Sequence, residues 1–196
     1  AKSNFEGDDF PGKQQQFRFD FLGLVVFYDP PKKDIQDVFQ HIYDAGIKVK
    51  VITGDNTDTT KSIAAQAGIV NTAEAVEGKE IMEYSEEKLL QEVEEKVLFT
   101  RMFPDAKLAV VNALKKKGEV VAMLGDGVND GPALKAAHIG VAMGSKGTEI
   151  AKAAAALVIT NDDLDKLITG IASGRRIYAN IKKAIQYIIS IHIPII

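Results

Sequence analysis

The sequence has no cysteine in 196 residues. That excludes a disulfide framework, a thiolate metal site and a cysteine nucleophile. It also lacks an excess of positive charge, since 24 Lys+Arg stand against 27 Asp+Glu for a formal net charge of -3. Nothing in that balance would displace counterions from phosphates, so a nucleic-acid partner is not expected. No signal-peptide pattern follows Ala1. The apolar run at the other end, Ala184 to Ile196, is too short to cross a bilayer, which takes about 20 helical residues.

What is present argues for a folded α/β domain. A hydrophobic content of 46% is ample for a packed core and excludes disorder over most of the chain. Residues 1–16 are polar and Gly-rich and read as a loop or frayed end. Phe17, Phe19 and Phe21 alternate, and Leu22 to Tyr28 is nearly continuous apolar sequence, which predicts a strand that becomes buried. Ile35, Val38, Phe39, Ile42 and Tyr43 recur at helical spacing, with Gly46 placed as a stop. Short strands are then expected at Lys48–Ile52, Val97–Thr100, Val120–Leu124, Ile139–Met143 and Leu157–Ile159. Helices are expected from Asn56 to about Ala67, over Glu86–Glu95, over Pro104–Lys117, around Thr148–Ala156 and from about Leu164. The stretch from Val70 to Ser85 reads as a polar connection. This alternation implies a mostly parallel sheet with helices on both faces.

In such a sheet, ligands bind beyond the carboxyl ends of the strands, and two loops there are unusual. Thr53-Gly54-Asp55 offers a hydroxyl and backbone N–H groups at a helix start, which suits phosphate oxygens. Asp126 and Asp130 lie four residues apart in a glycine-rich loop after a strand, where hard carboxylate oxygens suit a hydrated Mg²⁺. Lys107, just after Pro104, adds a positive charge. Each piece has a plain reading, as a turn, a solvated helix lysine or a polar loop. Their convergence on one sheet edge points to metal-assisted phosphoryl transfer.

Thr53-Gly54-Asp55-Asn56, the segment from Arg101 to Lys107, Gly125-Asp126-Gly127-Val128-Asn129-Asp130-Gly131-Pro132-Ala133-Leu134 and Ile139-Gly140-Val141-Ala142-Met143-Gly144 closely resemble the phosphorylation domain of P-type cation ATPases, within the haloacid-dehalogenase-like superfamily. Asp29-Pro30-Pro31 is similar to the family's hinge segment. The stretch from Gly174 to Lys183 resembles the approach to a membrane helix in the calcium-pump-like group, with the basic flank of a cytoplasmic boundary. The resemblance covers about Phe17 to the last residue.

It implies a haloacid-dehalogenase-like, Rossmann-type parallel sheet and a division into residues 1–16, a phosphorylation-domain part at 17–163, and a stalk helix with the start of a transmembrane helix at 164–196. It further implies ATP as substrate, Mg²⁺ as cofactor, a transported cation and membrane lipid as partners, and a membrane-bound parent with this part mostly on the cytoplasmic face. Thr53 and Gly54 would contact the transferred phosphate, and Asp55 would lie at the hinge with a nucleotide-binding domain. Lys107 would neutralise phosphate oxygens, Asp126 would ligate Mg²⁺, and Asn129 with Asp130 would hold the phosphate, the metal waters and Lys107. Gly131 stands where many relatives have Ala, and little change is expected from it.

One departure matters. These pumps attack ATP with an aspartate in an Asp-Lys-Thr-Gly-Thr segment, and no such segment occurs here. Asp29 is followed by two prolines. Asp163-Leu164-Asp165-Lys166-Leu167 comes after the metal loop and has Leu where a superfamily phosphatase carries Thr or Val, so a helix-start role is expected for Asp162 and Asp163. The expectation is therefore a pump fragment without its central, nucleophile-bearing strand, inactive in isolation and either prone to aggregate at its open strand edges or rearranged across the gap between them. The alternatives are a soluble superfamily phosphatase, which would need its own nucleophile, and a non-catalytic Mg²⁺- or nucleotide-binding regulatory module. His192 reads as an interfacial residue or a proton or metal ligand, and Pro194 as a kink.

Overall fold

The computed structural model describes residues 2–3, 12–25 and 30–192. The chain divides into two compact units, Ala1–Pro30 and Pro31–Ile196. In the first, a single turn of helix covers Gln14–Gln16, and Lys2 and Asp20 form an antiparallel bridge through two backbone hydrogen bonds of 3.0 and 2.8 Å.

The strand expected from Phe17 onward does not form over the described part, up to residue 25. Phe21, Leu22, Leu24 and Val25 are 70 to 84% exposed. Alternating apolar residues supply a face for a strand, but a strand also needs a paired edge, and beyond the Asp20 bridge this segment pairs with none among the described residues. Residues 26–29, including Asp29 of the expected hinge turn, lie outside the described residues, as do 193–196 with Pro194.

The second unit carries α1 (Ile35–Asp44), β1 (Val51–Ile52), α2 (Thr57–Gln66), β2 (Ala75–Glu77), α3 (Gly78–Glu83), α4 (Glu86–Glu95), β3 (Leu98–Thr100), α5 (Pro104–Lys116), β4 (Ala122–Gly125), α6 (Gly131–Ala136), β5 (Ile139–Met143), α7 (Glu149–Ala154), β6 (Leu157–Ile159) and α8 (Asp165–His192). Local chemistry explains the boundaries. Asn56 accepts the Thr59 N–H at 2.9 Å and caps α2, Ser85 caps α4, Thr148 caps α7, and Pro104 opens α5 where its missing N–H is not needed. Gly68 and Gly118 follow α2 and α5 with φ of 76° and 84°, a backbone that side chains disfavour.

All strand pairing within this unit's sheets is parallel. The strands form two three-stranded sheets, in the order β1-β3-β2 and β4-β5-β6, so β1 and β4 are edge strands. Successive residues of β3 face opposite layers: Phe99 packs with Val76, Ile81, Val93 and Val110, and Leu98 packs with Ala64, Ala67 and Ile69. Helices thus cover both faces of the first sheet, as the alternation implied. The second sheet buries Met123 and Ala142 with Val111, Leu134 and Ala151 of α5, α6 and α7. On its other face Leu124 and Leu157, which both pair with the buried Val141, are exposed. α5 serves both sheets, with Val110 in one core and Val111 in the other, and Ile52 at the end of β1 packs against both cores. That shared helix brings the carboxyl ends of β1 and β4 to a common place.

One stretch departs from the sequence expectation, and the last helix begins within a residue of its expected start. Residues 70–85 contain β2 and α3, and only Val76 and Ile81 in them are deeply buried apolar residues. Glu77 and Glu80 close a reciprocal capping box at the start of α3, so an acidic pair marks a helix start inside a stretch that reads as polar loop. α8 runs 28 residues with no buried residue, and among the described residues no helix is long and apolar enough to cross a membrane.

Candidate active site

The carboxyl ends of β1 and β4 open into a cavity of about 470 Å³. Thr53, Gly54, Lys107, Asp126, Asn129 and Asp130 all line it, so six of the seven residues expected from sequence are brought together. Asp55 does not line it. Its N–H and carboxylate turn back on the Thr53 hydroxyl, at 3.1 and 3.2 Å, and its carbonyl accepts the Arg101 N–H at 2.9 Å. The short turn after β1 folds on itself and carries Asp55 away from the opening.

Each wall has a local reason. Thr53 continues β1, with its N–H on the Phe99 carbonyl and its own carbonyl accepting the Met102 N–H, both at 2.9 Å. The turn is therefore locked to the end of β3. Lys107 lies one turn into α5 and is 9% exposed; Asp130 is 7% exposed. Their side chains meet, Nζ donating to Oδ1 at 2.6 Å, the short distance of a charge-assisted bond. Oδ2 of Asp130 accepts the Gly127 N–H at 3.2 Å, so both carboxylate oxygens are engaged. Gly125 makes this possible. A Cβ there would stand 2.7 Å from the Asp130 Cβ and 2.9 Å from Oδ2.

Asp126 is exposed at the mouth of the cavity, and its main-chain carbonyl accepts the Thr148 N–H at 2.8 Å. Among the described residues no three acidic or histidine side chains gather to hold a metal by themselves. Two carboxylates on one loop, one of them already paired with Lys107, instead match the modest oxygen-only donor set of Mg²⁺, which keeps waters and shares its shell with phosphate.

Sequence reasoning missed several contributors. Met102, just after β3, and Met143, the last residue of β5, line the cavity, and only those positions at strand ends mark them. Asp162 was expected at a helix start. Asp163 does serve there, its Oδ1 accepting the Asp165 N–H at 3.1 Å. Asp162 instead folds back onto the loop after β5, accepting the Ser145 and Lys146 N–H groups at 2.9 Å each. A doubled acid after a strand carried no signal of that split.

Comparison with known proteins agrees with this architecture. Residues 4–138 match the family of haloacid dehalogenase-like hydrolases. The chain is 42% identical over 171 residues to calcium-transporting ATPase 1 of Bacillus cereus, covering 87% of this chain and 19% of that protein. It is 43% identical over 178 residues to the endoplasmic reticulum-type calcium-transporting ATPase 4 of Arabidopsis thaliana, covering 88% and 17%. The chain thus spans less than a fifth of the length of these relatives. Among solved structures it is similar to the catalytic domain of the CPx-ATPase CopB-B, studied for its conformational changes upon nucleotide binding, with a TM-score of 0.55, 26% identity, and coverage of 72% of this chain and 45% of that one. The chain belongs to the haloacid dehalogenase-like hydrolase family, and its similarity to calcium-transporting ATPases bears out the resemblance to P-type cation pumps.

Proposed function

We propose that the chain is the phosphate- and Mg²⁺-binding part of the phosphorylation domain of an ATP-driven cation pump that works through an aspartyl phosphate. The observation that carries this reading is the buried Lys107–Asp130 pair set beside Thr53 and Asp126 in one cavity. A fixed cation, the backbone turn at Thr53 and Gly54 and an exposed carboxylate line the same cavity, as transfer of a phosphoryl group demands.

Placement in the cavity supports the following roles. Thr53 and the Gly54 N–H bind equatorial oxygens of the phosphoryl group. Lys107, held in place by Asp130 before any ligand arrives, neutralises charge that develops there. Preorganised groups of this kind reorganise little during the reaction, and removing one lowers rates by about 10²–10³. Asp126 and Asp130 would hold Mg²⁺, Asn129 orienting its waters. When bound, that ion supplies further neutralisation of the phosphate oxygens.

The acceptor carboxylate lies elsewhere in this reading. Among the described residues the cavity holds no aspartate besides Asp126 and Asp130, and β1 and β4 each present an edge that pairs with no other strand among them. A strand from another segment, carrying the nucleophile, would join those edges into one sheet. Residues 17–163 then form the phosphorylation-domain part, and 164–196 a stalk that leads into a membrane helix, with the domain on the cytoplasmic face. ATP, a transported cation and membrane lipid are the partners.

The test is phosphorylation of the full-length protein carrying this chain with γ-labelled ATP and Mg²⁺. Acid-stable label should map to an aspartate outside these 196 residues and vanish in Lys107→Met. Label on Asp29 or Asp163 would contradict the reading and favour a self-contained phosphatase.

A further inference from the structure

Asp162 follows β6 with a φ of 53° and is 7% exposed. Residues other than glycine seldom occupy that region, and a buried example there is held by its surroundings. Its Oδ1 accepts the Ser145 N–H and its Oδ2 the Lys146 N–H, each at 2.9 Å. Its own N–H donates to the Ile159 carbonyl at 3.2 Å, and its carbonyl accepts Lys32 Nζ at 2.7 Å. Burial pushes the carboxyl up, but the main-chain donors of Ser145, Lys146 and Gly144 outweigh it and hold the pKa below the ordinary 3.8. Asp162 is an anion gripping a loop by its backbone.

That loop leads to the cavity. It begins at Met143, which lines the cavity, and its Gly144 N–H donates to the Ile159 carbonyl at 2.8 Å. A Cβ on Gly144 would stand 2.6 Å from the Thr160 Cα, and one on Gly147 would stand 2.0 Å from the Met143 carbonyl oxygen, so the loop is wound against its neighbours with no room for side chains there. It ends at Thr148, whose N–H holds the Asp126 carbonyl at 2.8 Å and whose hydroxyl caps α7.

We propose that Asp162 is a positioning residue that acts through Ser145, Lys146 and Thr148 to fix the main chain of Asp126, and so the direction in which Asp126 offers its carboxylate to the metal. The inference rests on the reading of Asp126 as a Mg²⁺ ligand. Groups one step removed from a metal orient its ligands, and their loss typically weakens metal affinity about 10- to 100-fold.

The full-length protein carrying this chain is titrated with Mn²⁺ alone, free Mn²⁺ being read by electron paramagnetic resonance, and the site followed is the one lost in Asp126→Asn. Asp162→Asn is expected to weaken it by about tenfold. Thr148→Pro deletes the N–H on Asp126 at a φ of -67° that proline adopts, and is expected to weaken it likewise. Thr148→Ala removes the capping hydroxyl, keeps the N–H and is expected to leave the affinity unchanged. Unchanged affinity in a folded Asp162→Asn or in Thr148→Pro, or equal weakening in both Thr148 variants, overturns the inference and leaves Asp126 as ligand intact. If no Mn²⁺ site is lost in Asp126→Asn, the reading of Asp126 falls and the inference with it. Should Asp162→Asn not accumulate as folded protein, the Thr148 pair decides.

Discussion

Lys107 and Asp130 lie 23 residues apart and meet at 2.6 Å with side chains only 11% and 10% exposed. One comes from the first turns of α5, the other from the glycine-rich loop after β4. The pair joins the helix that serves both sheets to the loop expected to hold Mg²⁺, so it bears on stability and chemistry at once.

Breaking the pair from one side leaves a buried charge unmatched. Lys107→Met should lower the opening free energy around α5 by about 3 kcal/mol, because an uncompensated buried carboxylate is strongly destabilising. Hydrogen exchange of the α5 amides in the full-length protein reads this. Adding Asp130→Leu should restore most of the protection while leaving phosphorylation abolished, which separates the structural role from the catalytic one.

Gly125, packed against Asp130, and Gly131, next to it in sequence, should behave oppositely. Gly125→Ala places a Cβ 2.7 Å from the Asp130 Cβ and must displace that carboxylate. A displacement of about 1 Å can lower a rate about 10²-fold, so phosphoenzyme formation should fall by that order. A Cβ on Gly131 meets only the Ile150 Cγ2, at 3.8 Å, an ordinary contact at the start of α6. Gly131→Ala should leave the rate unchanged. Single-turnover labelling of both variants checks the pair.

The loop after β5 should loosen in acid. The Asp162 carboxyl is held below its ordinary value of 3.8, so its contribution is present above that value and is lost as pH falls through the lower, folded-state value. Protection of the Ser145 and Lys146 amides against exchange should therefore decline as pH drops below 3.8 toward that lower value. Asp162→Asn should show weak protection throughout and no such decline.

The parts of this fold legible in the sequence were those marked by special residues. Asn56, Ser85, Pro104, Gly68 and Gly118 set helix ends that the structure places within a residue or two. The gathering of Thr53 and the Gly125-to-Asp130 loop at one cavity was legible because both follow short strands of a parallel sheet. β2 and α3 were not, since a three-residue strand with one deeply buried side chain leaves almost no periodicity. The segment from Phe17 failed the other way: its alternation is strong, but pairing depends on an edge that no local pattern announces. Asp162 was misplaced because the same residue type can cap a turn, face a ligand or grip a distant loop, and only the tertiary path chooses.

The central claim is that this chain holds the phosphate and the metal while the attacking carboxylate comes from another segment. Its most direct test is the 196-residue chain alone with Mg²⁺ and γ-labelled ATP. No steady hydrolysis and no acid-stable label are expected, even where the chain is folded and binds Mn²⁺ through Asp126. Sustained turnover that disappears in Asp126→Asn would contradict the account and place a nucleophile within these residues.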